Sequence, residues 1–255
     1  MDEVLRRLWQ DTGALLRYQR QLGLVSLGDA IAQSTLEEIG QFIKTAPKVN
    51  QQGLGAKEIV PTRASDQKET LAVIREELGE CQRCPLSATR THLVFGAGAS
   101  RARLVFVGEG PGRDEDLQGE PFVGAAGQLL AKMIGAMGLK RQDTYITNSV
   151  KCRPPKDRDP SPEEMASCKP FLMRQIHSVQ PEAIVTLGRH AAQILLQEDT
   201  PISRLRGTWK KFQGIDLMPT FHPADLLRNA AQKKVVWSDL QQVMGKLNLK
   251  DPRHS

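Results

Sequence analysis

Four cysteines are the residues of this sequence whose type and spacing speak most directly of chemistry. Cys81 and Cys84 form a C-x2-C pair, Cys152 follows after 67 intervening residues, and Cys168 after 15 more. Four converging thiolates can close around zinc or around a [4Fe–4S] cluster, and C-x2-C supplies two ligands from one tight turn. A disulfide framework is not expected in a cytoplasmic chain of this size. A redox C-x-x-C pair would leave Cys152 and Cys168 idle. Pro85 after Cys84 and the KCRPP run around Cys152 lean toward iron–sulfur. Spacing does not separate the two metals, and four buried thiols packed as small hydrophobes remain the alternative.

A second constellation runs from Gly108 to Arg228. The glycines of Gly108-Glu109-Gly110-Pro111-Gly112 let backbone approach a planar ligand or a phosphate closely. The run is neither G-x-G-x-x-G nor a Walker loop, and a structural turn explains it equally well. Glu115, Asp116 and Phe122 follow. A phenylalanine beside such a loop can be core, or a stacking face for a base worth roughly 1–3 kcal/mol. Asn148 offers a donor and an acceptor on one planar group, matching the imide edge of a base such as uracil, or it ties its own turn. His222 lies in Phe221-His222-Pro223, ahead of Leu226-Leu227-Arg228. A lone histidine is often structural. Exposed leucines beside a cation, however, can wedge into a base stack while the arginine meets phosphate.

The elements that must position these residues alternate. A helix through LAVIREEL runs into Cys81, and LVFVG (104–108) is a buried strand entering the glycine-rich loop. Helix 123–138, strand 144–150, a helix from Pro162 toward His177, strand 182–188 and the helix RHAAQILL follow. KKF and IDLMPTFHP predict a hairpin-like strand pair, and the last helix covers 231–247. Such alternation implies a mostly parallel sheet covered on both faces, with ligands at the carboxyl ends of the strands. The loops 108–122, 148–153 and 220–228 all follow strands and are expected to meet at one edge. Residues 1–44 read as a helical N-terminal extension, 45–67 as a polar linker, and 68–250 as the catalytic body.

The 255 residues carry a net charge of +6, unevenly placed: −2 over residues 1–80 and +8 over 81–255. A basic body favours a polyanionic partner, though a mildly basic enzyme needs none. No stretch approaches the ~20 apolar residues of a membrane helix. The start MDEVLRRLWQ has acids among its bases and no apolar core, so a signal peptide is not expected and the cytoplasm is the default location.

The stretches GEGPGRDEDLQGEPFVGAAGQLL, YITNSVKCRPP, LRGTW and FHPADLLRN, with all four cysteines in place, resemble the family 4 uracil-DNA glycosylases, the iron–sulfur branch of their superfamily. The resemblance covers residues 81–247 and leaves 1–75 unaccounted for. It implies a three-layer α/β/α fold with a central four-stranded parallel sheet. It implies a [4Fe–4S] cluster on Cys81, Cys84, Cys152 and Cys168, and a monomer that hydrolyses the N-glycosidic bond of uracil flipped from single- or double-stranded DNA. Phe122 would stack on the ring, Asn148 would read its edge with backbone near Gly110, and His222 would face O2 and stabilise the departing uracil anion. Related branches place a water-orienting Asp where this chain has Gly110, so Glu109 is the expected positioner and Glu115 the reserve. Leu226 or Leu227 would fill the vacated stack and Arg228 would meet phosphate. Two departures stand out. Ala224 replaces the serine of a His-Pro-Ser run, so backbone N–H must substitute if that phosphate contact exists. The basic, His-bearing insertion of relatives that trap uracil-DNA covalently is missing, so ordinary turnover is expected.

Overall fold

The segment Leu104–Gly108 (β2) shows why a sheet forms here. All five of its residues are buried, which an uninterrupted apolar run achieves only when both faces are covered. Leu104 and Phe106 enter one core cluster and Val105 and Val107 another, the alternation a strand imposes. The computed structural model describes residues 69–250. The expected helical extension (1–44) and linker (45–67) lie outside the described residues.

Ala97–Gly98 (β1) precedes β2, and Tyr145–Asn148 (β3), Ala183–Leu187 (β4), Lys210–Phe212 (β5) and Ile215–Thr220 (β6) follow it. The order across the sheet is β1-β3-β2-β4-β6-β5. The pairs β2–β3, β2–β4 and β4–β6 are parallel, while β1 on β3 and β5 on β6 are antiparallel. The sheet therefore has six strands rather than the four expected, the parallel four forming its centre. β1 escapes a periodicity reading because it is two residues long and glycine-flanked. Gly98 has φ +119°, and a Cβ there would sit 1.8 Å from the Thr144 carbonyl oxygen, so the close pairing demands glycine.

Helices cover both faces. On the first pack Ala125–Ala136 (α3), Pro223–Arg228 (α7) and Gln232–Lys246 (α8), through Leu130, Ile134, Leu226, Val236, Leu240 and Val243. On the second pack Pro162–Val179 (α4) and Arg189–Leu196 (α5), through Leu172, Ile176, Ala191, Ile194 and Leu195. Leu71–Leu78 (α1), Arg113–Gln118 (α2) and Ile202–Leu205 (α6) complete the α-helices among the described residues. α4 begins as expected, with Pro162 in its first turn and a reciprocal box between Ser161 and Glu164. Among the described residues no helix is long and apolar enough to cross a membrane.

Because the central strands run parallel, the loops after Gly108, Asn148, Leu187 and Thr220 leave from one edge. Backbone hydrogen bonds stitch them in pairs. Ser149 N donates to Gly108 O at 2.9 Å, Val150 N to Glu109 O at 3.0 Å, and Gly188 N to Thr220 O at 2.9 Å.

Candidate active site

At that edge lies a cleft of about 490 Å³ whose walls include Glu109, Gly110, Glu115, Phe122, Asn148, His222 and Arg228. These residues span more than a hundred positions of sequence and converge because the parallel strands end together.

Phe122 is held in an unusual backbone state, with φ +53°. Gly127 of α3 packs so tightly on it that a Cβ there would fall 1.9 Å from Phe122 O, and Arg141 donates to the preceding Pro121 carbonyl. The Phe122 and His222 rings lie 5.6 Å apart, tilted by 34°. Gly108 is the floor beneath two of these side chains. A Cβ on it would meet Asn148 Oδ1 at 2.4 Å and Phe122 Cζ at 2.5 Å.

Asn148 is 1% exposed, and neither its Oδ1 nor its Nδ2 has a hydrogen-bond partner. A buried polar group left unpaired costs about 1–3 kcal/mol, so an amide with both ends orphaned on a cleft wall is a site waiting for a complementary edge. His222 is the opposite case, with its orientation fixed. Its Nδ1 accepts from Ala224 N at 3.1 Å, so the ring proton of the neutral form lies on Nε2. Burial pushes its pKa below the ordinary 6.5 against the pull of the Glu109 and Asp225 carboxylates. The cleft therefore sees a neutral imidazole with an Nε2–H donor. The same bond engages the Ala224 N–H with the His222 ring.

The two glutamates differ. Both Glu115 oxygens are occupied, Oε1 by Val123 N and Gly124 N at 2.9 Å each and Oε2 by Gly112 N at 3.1 Å. Glu115 thus ties the glycine-rich loop to the start of α3, which leaves it poorly suited to the reserve role of holding a water. Among the described residues Glu109 has one side-chain partner, its Oε2 accepting from His190 Nδ1, and is 32% exposed in its side chain.

The leucine pair also needs correcting. Leu226 is 1% exposed and belongs to the core beneath α7, because one turn of helix places neighbouring residues on different faces. Leu227 is 50% exposed, and only it is free to wedge. Arg228 is exposed beside it and donates to Asp225 Oδ1 at 2.6 Å. His190, Arg189 and Asp159 also line the cleft and were not anticipated. Arg189 and His190 follow β4, whose loop leaves from the same sheet edge as those after β2, β3 and β6, while Asp159 comes from the segment between β3 and α4.

The four thiols form a separate donor set. Cys84, Cys152 and Cys168 pack around Leu86 and Val150. Arg90 joins the far ends of the set, donating to Cys81 O at 2.6 Å and to Cys152 Sγ at 3.3 Å, while Arg83 approaches Cys81 Sγ at 3.4 Å. Burial pushes the Cys152 thiol up to about 11 despite Arg90, and raises Cys168 despite Lys151. Thiolates in such a place need cations or a metal to hold their charge.

Comparison with known proteins decides the family. The model of the uracil DNA glycosylase superfamily matches residues 95–241. The chain belongs to that superfamily. It is 45% identical to the type-4 uracil-DNA glycosylase of Archaeoglobus fulgidus over 185 residues, 69% of this chain and 92% of the relative. It is 42% identical to that of Thermotoga maritima over 181 residues, 69% of this chain and 93% of the relative. Against the type-5 uracil-DNA glycosylase of Pyrobaculum aerophilum identity falls to 31%, over 54% of this chain and 68% of the relative. Within the superfamily, a group of DNA-glycosylase hydrolases, the chain sits with the type-4 branch.

Proposed function

We propose that this protein removes uracil from single- or double-stranded DNA in the cytoplasm, as a monomer, by flipping the base into the cleft and hydrolysing its N-glycosidic bond to leave an abasic site. The observation that carries the reading is Asn148: a buried amide with both polar atoms unpartnered, on the wall of a cleft shared with the Phe122 and His222 rings. Uracil's O4 and N3–H would satisfy it, while cytosine, with an amino group at position 4, would leave the donors opposed.

In this reading Phe122 supplies the stacking face and backbone near Gly110 the remaining contacts. As the bond to the sugar breaks, charge gathers on the uracil ring, and the His222 Nε2–H, oriented in advance by Ala224, stabilises it at O2. A preorganised donor of this kind is worth about 10²–10³ in rate. Glu109 orients the water that attacks the oxocarbenium carbon. Extruding the base costs a few kcal/mol, less at a mispair. Leu227 fills the gap, and Arg228, paired at the surface with Asp225, transfers to phosphate, since such surface pairs are worth at most ~1 kcal/mol.

Cys81, Cys84, Cys152 and Cys168 would hold a [4Fe–4S] cluster. The all-thiol donor set and the Arg90 and Arg83 donors aimed at sulfur support that fit. When bound, the cluster supplies cross-linking of the loops; the reaction as drawn has no redox step. The purified protein should be brown, absorb near ~400 nm, and release free uracil from a uracil-containing oligonucleotide while leaving an alkali-labile site. A brown protein that releases no uracil would end the catalytic reading, and a colourless one with bound zinc would end the cluster reading.

A further inference from the structure

His190, the second residue of α5, has no role in the reaction drawn above, yet its polar contacts face the cleft. Its side chain is only 10% exposed, and Nδ1 meets Glu109 Oε2. Nε2 lies 3.0 Å from Arg189 Nη2, and the same Nη2 donates to Asp159 Oδ2 at 2.9 Å. A guanidinium can only donate. His190 Nε2 must therefore accept from Arg189, its proton sits on Nδ1, and His190 donates to the Glu109 carboxylate. Asp159 holds Arg189, Arg189 fixes the tautomer of His190, and His190 fixes one oxygen of Glu109.

We infer that His190 is the positioning residue for Glu109, holding its Oε2 so that the other oxygen faces the attacking water. The inference rests on the proposed glycosylase reaction. Glu109 needs such a partner: it stands between Gly108 and Gly110, in backbone with little intrinsic stiffness, and its side chain would otherwise sample several rotamers. His190 comes from the first turn of a helix anchored in the core by Ala191, Ala192, Ile194 and Leu195, so it brings a rigid donor to a pliant loop. Glu109, Asp159 and His190 could also be taken for a cation site, since their ligand atoms lie within 4.8 Å of one another. His190 Nε2 and Asp159 Oδ2 lie 3.5 Å apart, and Arg189 Nη2 sits within hydrogen-bond distance of both; a guanidinium already set against the two groups supplies the cation there and favours a hydrogen-bond relay.

The test measures single-turnover uracil release from a single-stranded oligonucleotide by the cluster-loaded protein. It also measures affinity for the same oligonucleotide carrying an uncleavable 2′-fluoro deoxyuridine. Wild type, His190→Leu, Glu109→Gln and the double variant form a cycle. His190→Leu should slow release by about 10- to 100-fold, the range expected when a reacting group is misplaced by an ångström or less. It should leave affinity for the uncleavable DNA within about threefold and have no further effect once Glu109 is glutamine, because it acts only through that carboxylate. His190→Asn, whose amide N–H reaches the place of Nδ1, should recover most of the rate. His190→Gln, equally polar but reaching the place of Nε2, should not; this pair decides the question even if the leucine variant fails to fold. Equal rates for Asn and Gln, a full-rate His190→Leu, or the same loss in both Glu109 backgrounds would overturn the inference. A wild type without uracil release would instead overturn the glycosylase reading beneath it.

Discussion

Replacing Asn148 by leucine should make the free protein more stable while nearly abolishing uracil release. The leucine is close to asparagine in size and shape but has no polar atoms to leave unpaired. In the free protein both Asn148 Oδ1 and Nδ2 are buried without partners. Substituting an apolar group for an unsatisfied polar one returns the desolvation penalty, about 1–3 kcal/mol. For a folded unit of this size each kcal/mol moves the melting temperature by about 2–4 °C, so the variant should melt at least about 2 °C above wild type. Uracil would then face a methyl group where its O4 and N3–H need partners, and release should fall by about 10²-fold or more. Calorimetry on the cluster-loaded proteins and single-turnover release from the same preparations give the two numbers. Melting below wild type would mean the amide is satisfied in the free protein. Release within a few-fold of wild type would mean that it does not read the base. Either result would undo the reasoning, because one physical state of one side chain is asked to explain both.

Other perturbations separate roles that lie close together. Gly108→Ala introduces a Cβ that would meet Asn148 Oδ1 at 2.4 Å and Phe122 Cζ at 2.5 Å; overpacking of this kind costs about 1–3 kcal/mol, and release should drop by an order of magnitude or more in a protein whose circular dichroism is unchanged. Leu226→Ala removes a core side chain and should lower stability by about 2–5 kcal/mol, whereas Leu227→Ala should leave melting unchanged and slow release from double-stranded more than from single-stranded DNA. His222 has its pKa lowered from 6.5 by burial, so its proton binds the unfolded chain better than the native one. Its contribution to stability is complete above pH 6.5 and shrinks as pH falls through the depressed value; release should accordingly hold steady from pH 8 to 6.5, and an imidazole-like loss within that interval would contradict a neutral donor.

How far the sequence reaches depends on how local the determining physics is. The buried strand LVFVG, the Pro162 helix start and the helix RHAAQILL were legible because each rests on a periodicity or a cap contained in a few residues. The loops at one sheet edge were legible because parallel strands end together. Leu226 and Leu227 were not separable: adjacent positions in one helical turn differ only in which faces the core, and a six-residue helix carries too little pattern to tell. Glu115 and Glu109 likewise have equal chemistry in sequence, and it is the turn at Gly112 and the start of α3 that consume the hydrogen-bonding capacity of one and not the other. The tautomer of His222 and the relay through His190 depend on contacts two and 81 residues away, the second beyond any local rule.

The loop after β3 shows why a metal centre would matter to a reaction without electron transfer. Asn148 and Cys152 are four residues apart, and between them Lys151 is wholly buried. Its ammonium donates to Thr147 Oγ1 at 2.7 Å and to Asn148 O at 2.6 Å, while its own carbonyl accepts from Val94 N at 2.8 Å. Two neutral oxygens do not compensate a buried cation, whose desolvation costs several kcal/mol. Burial pushes the ammonium down to about 8, a shift that Cys168 and Cys152 would oppose as thiolates. The same burial keeps the thiols protonated, Cys152 being pushed up to about 11, so charge placed on the sulfurs would tighten the grip on the strand end that carries Asn148. A cluster on the four cysteines would supply that charge permanently and, through one lysine, hold the base-reading amide in place.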